Sequence, residues 1–301
     1  MDQFTLANYE VYFERDFLKK RADEFQTLFY EIMELRYPSD FMRTRPWGKV
    51  GDRKNDGYLA SKRMLFQLYA PNEMKAHSTI KKITEDFDGA KTYWQKHFDT
   101  WVFAHNSRIG LSPQINEKLL ELRSTQPPNV LWWGYAELRQ EVLQLKETDL
   151  IKLFGVAPTR INMLRVGYEN LKEVLAHISR QPQAQISVVL TVPPDKLLYN
   201  QLSTAVQQLI GVGMQRSDKV DQFFQGWHDP TYGDGLAQTF TLKYQELKSS
   251  GFSPDRIFFE LQAFAAGDRR LTPEGEAAIL TVLAYFFEKC DIFERPAKEL
   301  Q

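Results

Sequence analysis

The first part of the chain carries a helical pattern of apolar positions. From about Tyr9 to Leu35, large apolar residues recur three and four positions apart, as on one stripe of an amphipathic helix: Phe17, Phe25, Leu28, Phe29, Ile32 and Leu35. Tyr37-Pro38 ends the pattern, because proline disfavours helical backbone in the residue before it. The pattern predicts one long N-terminal helix.

Short extended segments follow this helix. We predict a strand at residues 41–45 and a hairpin formed by residues 57–60 and 64–69. The second hairpin strand carries apolar residues on both faces, which is typical of a strand covered on both sides. Further strands are predicted at residues 100–104 and 129–134. Helices are predicted to alternate with them, at about residues 73–96 with a break near Gly89, 113–122 and 135–145. This order indicates an α/β domain with a central mixed sheet flanked by helices.

The second half of the chain is predominantly helical in pattern. We predict a helix at residues 159–178, an exposed linker at 181–185 and a possible strand at 186–192. Only helical patterns and turns follow, and the last helix, from about Pro273 to Cys290, is apolar nearly all round. Such a helix is buried in a core or against a partner, and we favour the core. The predicted domains are therefore an α/β domain at 1–155, a connecting helix and linker at 156–192, and an all-α domain at 193–301.

Composition places the chain among soluble proteins. It has 301 residues, of which 43% are hydrophobic and 26% charged, with a net charge of −1. No apolar run approaches the roughly 20 residues that cross a bilayer, and the N-terminus lacks the pattern of a signal peptide. Cys290 is the single cysteine, which fits a reducing compartment. We expect a cytoplasmic protein with no membrane contact.

Positive charge is concentrated near the hairpin. Between Arg36 and Arg63, eight basic residues face three aspartates, a local charge of +5 in 28 residues. Phosphate contacts need such a patch, although an ordinary solvated hairpin has the same composition. The candidate nucleic-acid-binding residues are Arg43, Arg45, Lys49, Arg53, Lys54, Lys62 and Arg63.

The hairpin also carries candidate chemistry. The sequences GDRKNDG (51–57) and FQLYAP (66–71) resemble the G-D-x-x-x-D-G and Q-x-K pattern of the restriction-endonuclease-like (PD-(D/E)xK) superfamily. The resemblance implies a nuclease core in which Asp56 and Gln67 hold Mg²⁺ or Mn²⁺ and phosphodiester bonds are hydrolysed. Oxygen ligands suit such a cation, and residues two apart on a strand share a face.

The pattern departs from the superfamily at one position. Tyr69 stands where the lysine is expected, and tyrosine does not supply an ammonium charge. Lys54 or Lys62 is a candidate replacement for that ammonium, and Glu31 for a missing carboxylate; Gln26 lies where related enzymes often carry a glutamate. The alternative is a pseudonuclease without catalysis or cofactor that binds DNA or protein.

Other sites find less support in the sequence. The five histidines are scattered and lack zinc spacing. Gly211-Val212-Gly213 lacks the third glycine of a dinucleotide loop. Cys290 fits a packing residue better than a nucleophile. Trp132 and Trp133 are expected to pack within a strand, with base stacking as the alternative.

Four segments of the last third carry a second resemblance: residues 193–203, 212–224, 236–262 and 282–294. They resemble C-terminal modules of the ABC three-component conflict systems of bacteria. The resemblance implies anti-phage or anti-plasmid defence, with an SMC-like ABC ATPase and a middle component as partners and this tail as the docking or assembly element.

Three hypotheses follow from the sequence. The first is a defence protein whose nuclease-like domain contacts DNA and cleaves it when assembled with partners. The second is a non-enzymatic adaptor with a pseudonuclease domain. The third is a structural oligomerisation unit, and a homo-oligomer is expected in any case.

Overall fold

The structure, a computed structural model, describes residues 1–44, 53–124, 127–181, 196–268, 272–289 and 292–294. The chain divides into two compact units. We call Tyr12–Gly155 the α/β unit, and Met1–Val11 together with Val156–Gln301 the helical unit. The division falls after Gly155, and the first eleven residues group with the C-terminal part of the chain.

The α/β unit contains five strands and the helices around them. In chain order the elements are α1 (Gln3–Lys19, whose first turns belong to the helical unit), α2 (Ala22–Arg36), β1 (Phe41–Arg43), β2 (Gly57–Leu59), β3 (Met64–Tyr69), α3 (Ala76–Trp94), β4 (Thr100–His105), α4 (Pro113–Ser124), β5 (Asn129–Trp133), α5 (Tyr135–Leu143) and α6 (Glu147–Phe154).

The strands form one mixed sheet in the order β1-β2-β3-β4-β5. The first three strands are antiparallel neighbours, with Gly57 opposite Phe66 in the β2–β3 hairpin. The last three are parallel, with Tyr69 opposite His105. The described part of the chain thus confirms the predicted mixed α/β layer.

Helices cover both faces of this sheet. On one face, α2 packs on β3, where the rings of Phe29 and Phe66 lie 5.4 Å apart. The other face is covered by α3 and α4, whose apolar residues form one core cluster with Leu65 and Trp101 of the sheet. Consecutive strand residues point to opposite faces, so Phe66 belongs to the α2 side and Gln67 to the α3–α4 side.

The predicted N-terminal helix is two helices. The chain breaks between Lys19 and Ala22, and Ala22 has φ = 43°. The backbone N–H of Ala22 donates to the carbonyl of Ala70, at 2.8 Å. This bond to a residue far along the chain anchors the start of α2 at the end of β3.

The helix predicted to break near Gly89 is continuous. Gly89 lies within α3, although glycine weakens helices. A Cβ at this position would lie 2.5 Å from Cγ of Lys54. The glycine therefore leaves room for the lysine side chain.

The helical unit carries eight helices in the described residues: α7 (Arg160–Arg165), α8 (Tyr168–Ile178), α9 (Lys196–Tyr199), α10 (Thr204–Met214), α11 (Asp218–Gln225), α12 (Tyr232–Ser249), α13 (Pro254–Ala266) and α14 (Pro273–Glu288). The helix predicted at residues 159–178 is interrupted at Val166-Gly167. The possible strand at 186–192 and most of the predicted linker lie outside the described residues, as does Cys290.

The last helix is the centre of the helical unit. Every residue from Ala277 to Phe287 is buried, which confirms the interpretation of α14 as core. α10 packs closely on it: a Cβ at Gly213 would lie 2.6 Å from Ala284 Cβ and 2.8 Å from the carbonyl oxygen of Leu280.

The end of the described chain is held by α9 and the residue after it. Lys196, fully buried, donates from Nζ to the carbonyls of Phe287 and Ile292, each at 2.7 Å. Asn200 accepts from the N–H of Glu294 and donates to its carbonyl, both at 2.8 Å. Among the described residues, no helix is long and apolar enough to cross a membrane.

Candidate functional site

Asp56 and Gln67 meet across the β2–β3 hairpin. Gln67 Nε2 donates to Asp56 Oδ2 at 2.7 Å, and the same oxygen accepts from the backbone N–H of Leu68, also at 2.7 Å. Asp56 is 6% exposed and Gln67 3%. Gly57 pairs with Phe66 in the hairpin, and the N–H of Asp56 donates to the carbonyl of Phe66 at 3.0 Å, which places residue 56 beside residue 67. The structure thus brings together the two central predicted site residues, as a buried hydrogen-bonded pair.

Mg²⁺ and Mn²⁺ need oxygen ligands, and this pair offers them only in part. Gln67 turns its nitrogen towards Asp56, so a cation held by both residues requires the amide to rotate and lose the 2.7 Å bond. Among the described residues, no group of three or more His, Cys, Asp or Glu residues could hold a metal. As arranged, these residues do not fit a metal ion.

Two buried oxygens, one on the pair itself and one on the residue before Asp56, lack a hydrogen-bond partner in the described part of the chain. They are Oε1 of Gln67 and Oδ1 of Asn55, which is 1% exposed. Buried polar atoms are usually satisfied. A ligand with hydrogen-bond donors, or a cation, could bind to these two acceptors.

Lys54 is engaged with α3. Its ammonium lies 2.9 Å from Oδ1 of Asp86, and the ammonium of Lys82 lies 2.6 Å from Oδ2. Asp86 is fully buried, so two lysines hold one buried carboxylate by charge. Arg53 and Lys54 both adopt left-handed backbone, with φ of 51° and 62°, and Trp94 Nε1 donates to the Arg53 carbonyl at 3.1 Å. These contacts hold residues 53 and 54, which precede β2, against α3.

Glu31 belongs to the other side of the sheet. It is an exposed residue of α2, the helix that packs on Phe66, whereas Gln67 points to the α3–α4 side. The structure does not bring Glu31 together with Asp56 and Gln67. The sequence alone could not exclude that meeting, because the spacing of residues does not fix the face on which a helix packs.

Tyr69 and Gln26 share a small cavity. The cavity, of about 240 Å³, lies where α2 begins and β3 ends, and Asp23, Leu68 and Pro71 also line it. The ring centroids of Tyr69 and Phe103 are 6.2 Å apart. The position expected to carry an ammonium therefore carries an aromatic side chain that packs against the sheet.

The basic residues near the hairpin are mostly paired with other side chains. Arg63 forms an ion pair with Asp99 at 2.7 Å. Three exposed cations lie over tyrosine rings: Arg43 over Tyr30 at 4.2 Å, Lys62 over Tyr37 at 5.3 Å and Arg53 over Tyr93 at 5.5 Å. Arg45 and Lys49 lie outside the described residues.

His105 is a candidate that the spacing of the histidines did not reveal. It ends β4 opposite Tyr69 and beside Gly134, where a Cβ would lie 2.7 Å from His105 Cε1. Only 3% of the residue is exposed, and burial lowers the pKa of His105 to about 4. Its Nδ1 accepts from the N–H of Ser107 at 3.2 Å. The imidazole is therefore neutral at pH 7 and lies at the carboxyl end of the parallel strands. Only the strand register could have revealed this placement.

Comparison with known proteins bears on the helical unit. Residues 169–294 match the family described as C-terminal domain 10 of the ABC-three component (ABC-3C) systems. The match covers less than half of the chain, and it confirms the C-terminal module expected from the sequence; for the α/β unit, the restriction-endonuclease-like fold stays a prediction. No curated protein and no solved structure matches significantly. The match suggests a role in a bacterial defence system and implies partner components. The helical region from residue 169 to residue 294 is thus similar to C-terminal domain 10 of the ABC-three component systems.

Proposed function

We propose that the protein is a non-enzymatic adaptor in a bacterial defence system. The match of residues 169–294 to an ABC-three component domain carries this proposal. In this role the helical unit joins the partner components, for which the resemblance names an SMC-like ABC ATPase and a middle component. The α/β unit supplies a nuclease-like scaffold without catalysis.

Three features of the hairpin support an adaptor over an active nuclease. Asp56 Oδ2 already accepts two hydrogen bonds from the fold. Lys54 pairs with the buried Asp86. Tyr69, the residue in the lysine position, packs near Phe103. Asp56, Lys54 and Tyr69 thus each make structural contacts in this chain, which supports an adaptor.

The experiment is a phage challenge of cells that produce the complete system, with Asp56→Asn and Asp88→Asn compared. Asp88 is an exposed acid of α3 and serves as the matched control. An adaptor protects cells with either variant, provided that both accumulate to the wild-type level. Loss of protection with Asp56→Asn alone, together with cleavage of plasmid DNA by the wild type in Mn²⁺, would overturn the proposal.

A metal-dependent deoxyribonuclease is the second candidate. The unpartnered buried oxygens of Gln67 and Asn55 favour it, because partner binding that rotates the Gln67 amide would turn an oxygen towards Asp56. The exposed Arg43, Arg53 and Lys62 would then contact DNA. A rise in melting temperature with Mn²⁺ in wild type but not in Asp56→Asn supports this candidate, and equal melting temperatures in both proteins argue against it.

A further inference from the structure

Two aliphatic residues of α7 remain exposed in the described part of the chain. Ile161 is 58% exposed and Leu164 66%, and residues three apart in a helix are neighbours on one side. Tyr168, which starts α8, is 47% exposed. Its ring stacks on Phe223, with centroids 4.6 Å apart and 29° between the planes. We call Ile161, Leu164 and Tyr168 the α7 patch.

The patch is held by polar contacts and one buried side chain. Thr159 and Asn162 cap the start of α7 with reciprocal hydrogen bonds. Asn162 Nδ2 donates to Glu274 of α14 at 2.7 Å, and an Arg216 guanidinium nitrogen donates to the Leu164 carbonyl at 3.0 Å. Met163, 2% exposed, is the anchor. The helix is therefore fixed while its aliphatic residues at 161 and 164 face outward.

A preorganised apolar surface is suited to binding. Exposed apolar residues that are grouped together mark interaction sites more often than scattered ones do. A surface already held in position loses little conformational entropy when a partner binds. The contacts of Thr159, Asn162 and Arg216 provide that rigidity.

Charge distinguishes the possible occupants. Arg160 and Arg165 bracket the two aliphatic residues and are exposed, and α7 contains no acid. Neither arginine forms an ion pair or side-chain hydrogen bond within the described chain. In a two-fold contact between copies, the same patch meets itself, so α7 of the second copy would bring two more arginines and no acid to the contact. A partner segment with acidic residues around apolar ones complements the surface.

We propose that the α7 patch is the docking surface for a protein partner of the defence system, through a segment that places apolar side chains on Ile161 and Leu164 and carboxylates beside Arg160 and Arg165. This proposal rests on the proposed function and names the surface that it uses. The buried α14 cannot offer such a surface, because its apolar residues form the core of the helical unit.

The test is site-specific cross-linking in cells that produce the complete system. A photoreactive p-benzoylphenylalanine replaces Ile161 or Leu164, and in control proteins it replaces Leu198 or Leu242, which are exposed apolar residues of the same unit, at 71% and 41%. We expect cross-links to a partner component from positions 161 and 164, at least fivefold stronger than from the controls. Mass spectrometry of the linked peptide should find Asp or Glu flanking apolar residues.

A charge variant completes the design. Arg160→Glu/Arg165→Glu should weaken the cross-link from position 164 at least fivefold, whereas Arg160→Lys/Arg165→Lys should retain most of it. Cross-links to a second copy of the chain, or to a partner from the control positions alone, would overturn the docking surface and leave the adaptor role intact. Absence of partner cross-links from every position would overturn both proposals.

Discussion

The side-chain amide of Gln67 donates to the carboxylate of Asp56 at 2.7 Å, inside the α/β unit. The sequence predicts that the two residues hold a metal together, and the structure shows a buried hydrogen bond between them across the hairpin. Because this bond joins the two candidate site residues, substituting either residue should change both the candidate site and the stability of the fold.

The first prediction concerns the loss of the Asp56 carboxylate. Asp56→Ala removes the acceptor of the Gln67 amide and of the Leu68 N–H, and leaving two buried donors unpaired should cost about 3 kcal/mol of unfolding free energy. Urea denaturation at pH 7 measures it. Asp88→Ala, at an exposed position of α3, should change stability by less than about 0.5 kcal/mol. Equal effects of the two variants would show that the buried bond contributes nothing.

The second prediction concerns the two lysines around Asp86. Lys54→Met/Lys82→Met leaves a buried carboxylate without a counter-charge, which should destabilise the protein by about 3 kcal/mol. Adding Asp86→Asn removes that charge and should recover most of the loss. Equilibrium unfolding in urea measures all three proteins.

The exposed Lys81, which lies 3.9 Å from Glu85, provides the control for this series. Lys81→Met should have an effect below about 0.5 kcal/mol, as is typical of surface pairs. A triple variant no more stable than the double variant would contradict the role assigned to the lysines.

The third prediction is a pH dependence from His105. Its pKa is about 4 in the folded protein and 6.5 in the unfolded chain, so the unfolded chain binds more protons between these values. Above pH 6.5 the imidazole is neutral in both states, and the free energy of unfolding does not depend on its protonation. As the pH falls towards 4, proton uptake by the unfolded chain lowers the free energy of unfolding by roughly 3 kcal/mol in total. His105→Gln should flatten the unfolding free energy across this window.

His77→Gln tests whether the effect belongs to the buried imidazole, because His77 is exposed on α3. We expect this variant to keep the wild-type slope between pH 4 and 6.5. A slope unchanged by His105→Gln would assign the titration to another group.

The fourth prediction compares two glycines of α10. Gly213→Ala places a methyl group 2.6 Å from Ala284 Cβ, and this overpacking should cost about 2 kcal/mol. A Cβ at Gly211 meets nothing within 4 Å, so Gly211→Ala should stabilise the helix by about 0.5–1 kcal/mol. Melting temperatures that shift in the same direction would disprove the close approach of α10 to α14.

Local pattern predicted the elements that depend on neighbours in sequence. The hairpin at β2 and β3 follows from two short extended segments, the second of them apolar on both faces, with a short turn between them. The buried α14 follows from apolar residues on all of its sides. In both cases the residues that predict the element lie within the element itself, so the sequence was sufficient to predict it.

Contacts between distant residues account for what the pattern missed. The break before α2 accompanies the bond from Ala22 to Ala70, and the continuity of α3 at Gly89 depends on the space that Lys54 fills. The candidate site shows the same limit. Spacing predicted the meeting of Asp56 and Gln67, whereas the placement of Glu31 depends on which face of the sheet α2 covers.

The contacts of Lys196 and Asn200 bear on where the helical unit can be cut. Asn200 bonds to both backbone groups of Glu294, and the family match also ends at that residue. Shortening the chain to residue 289 would remove the Ile292 carbonyl, which accepts from the buried Lys196 ammonium, and the Glu294 backbone groups, which bond to Asn200. Residues 292–294 are thus bonded to residues 196–200. A recombinant fragment or a domain exchange should therefore include both segments.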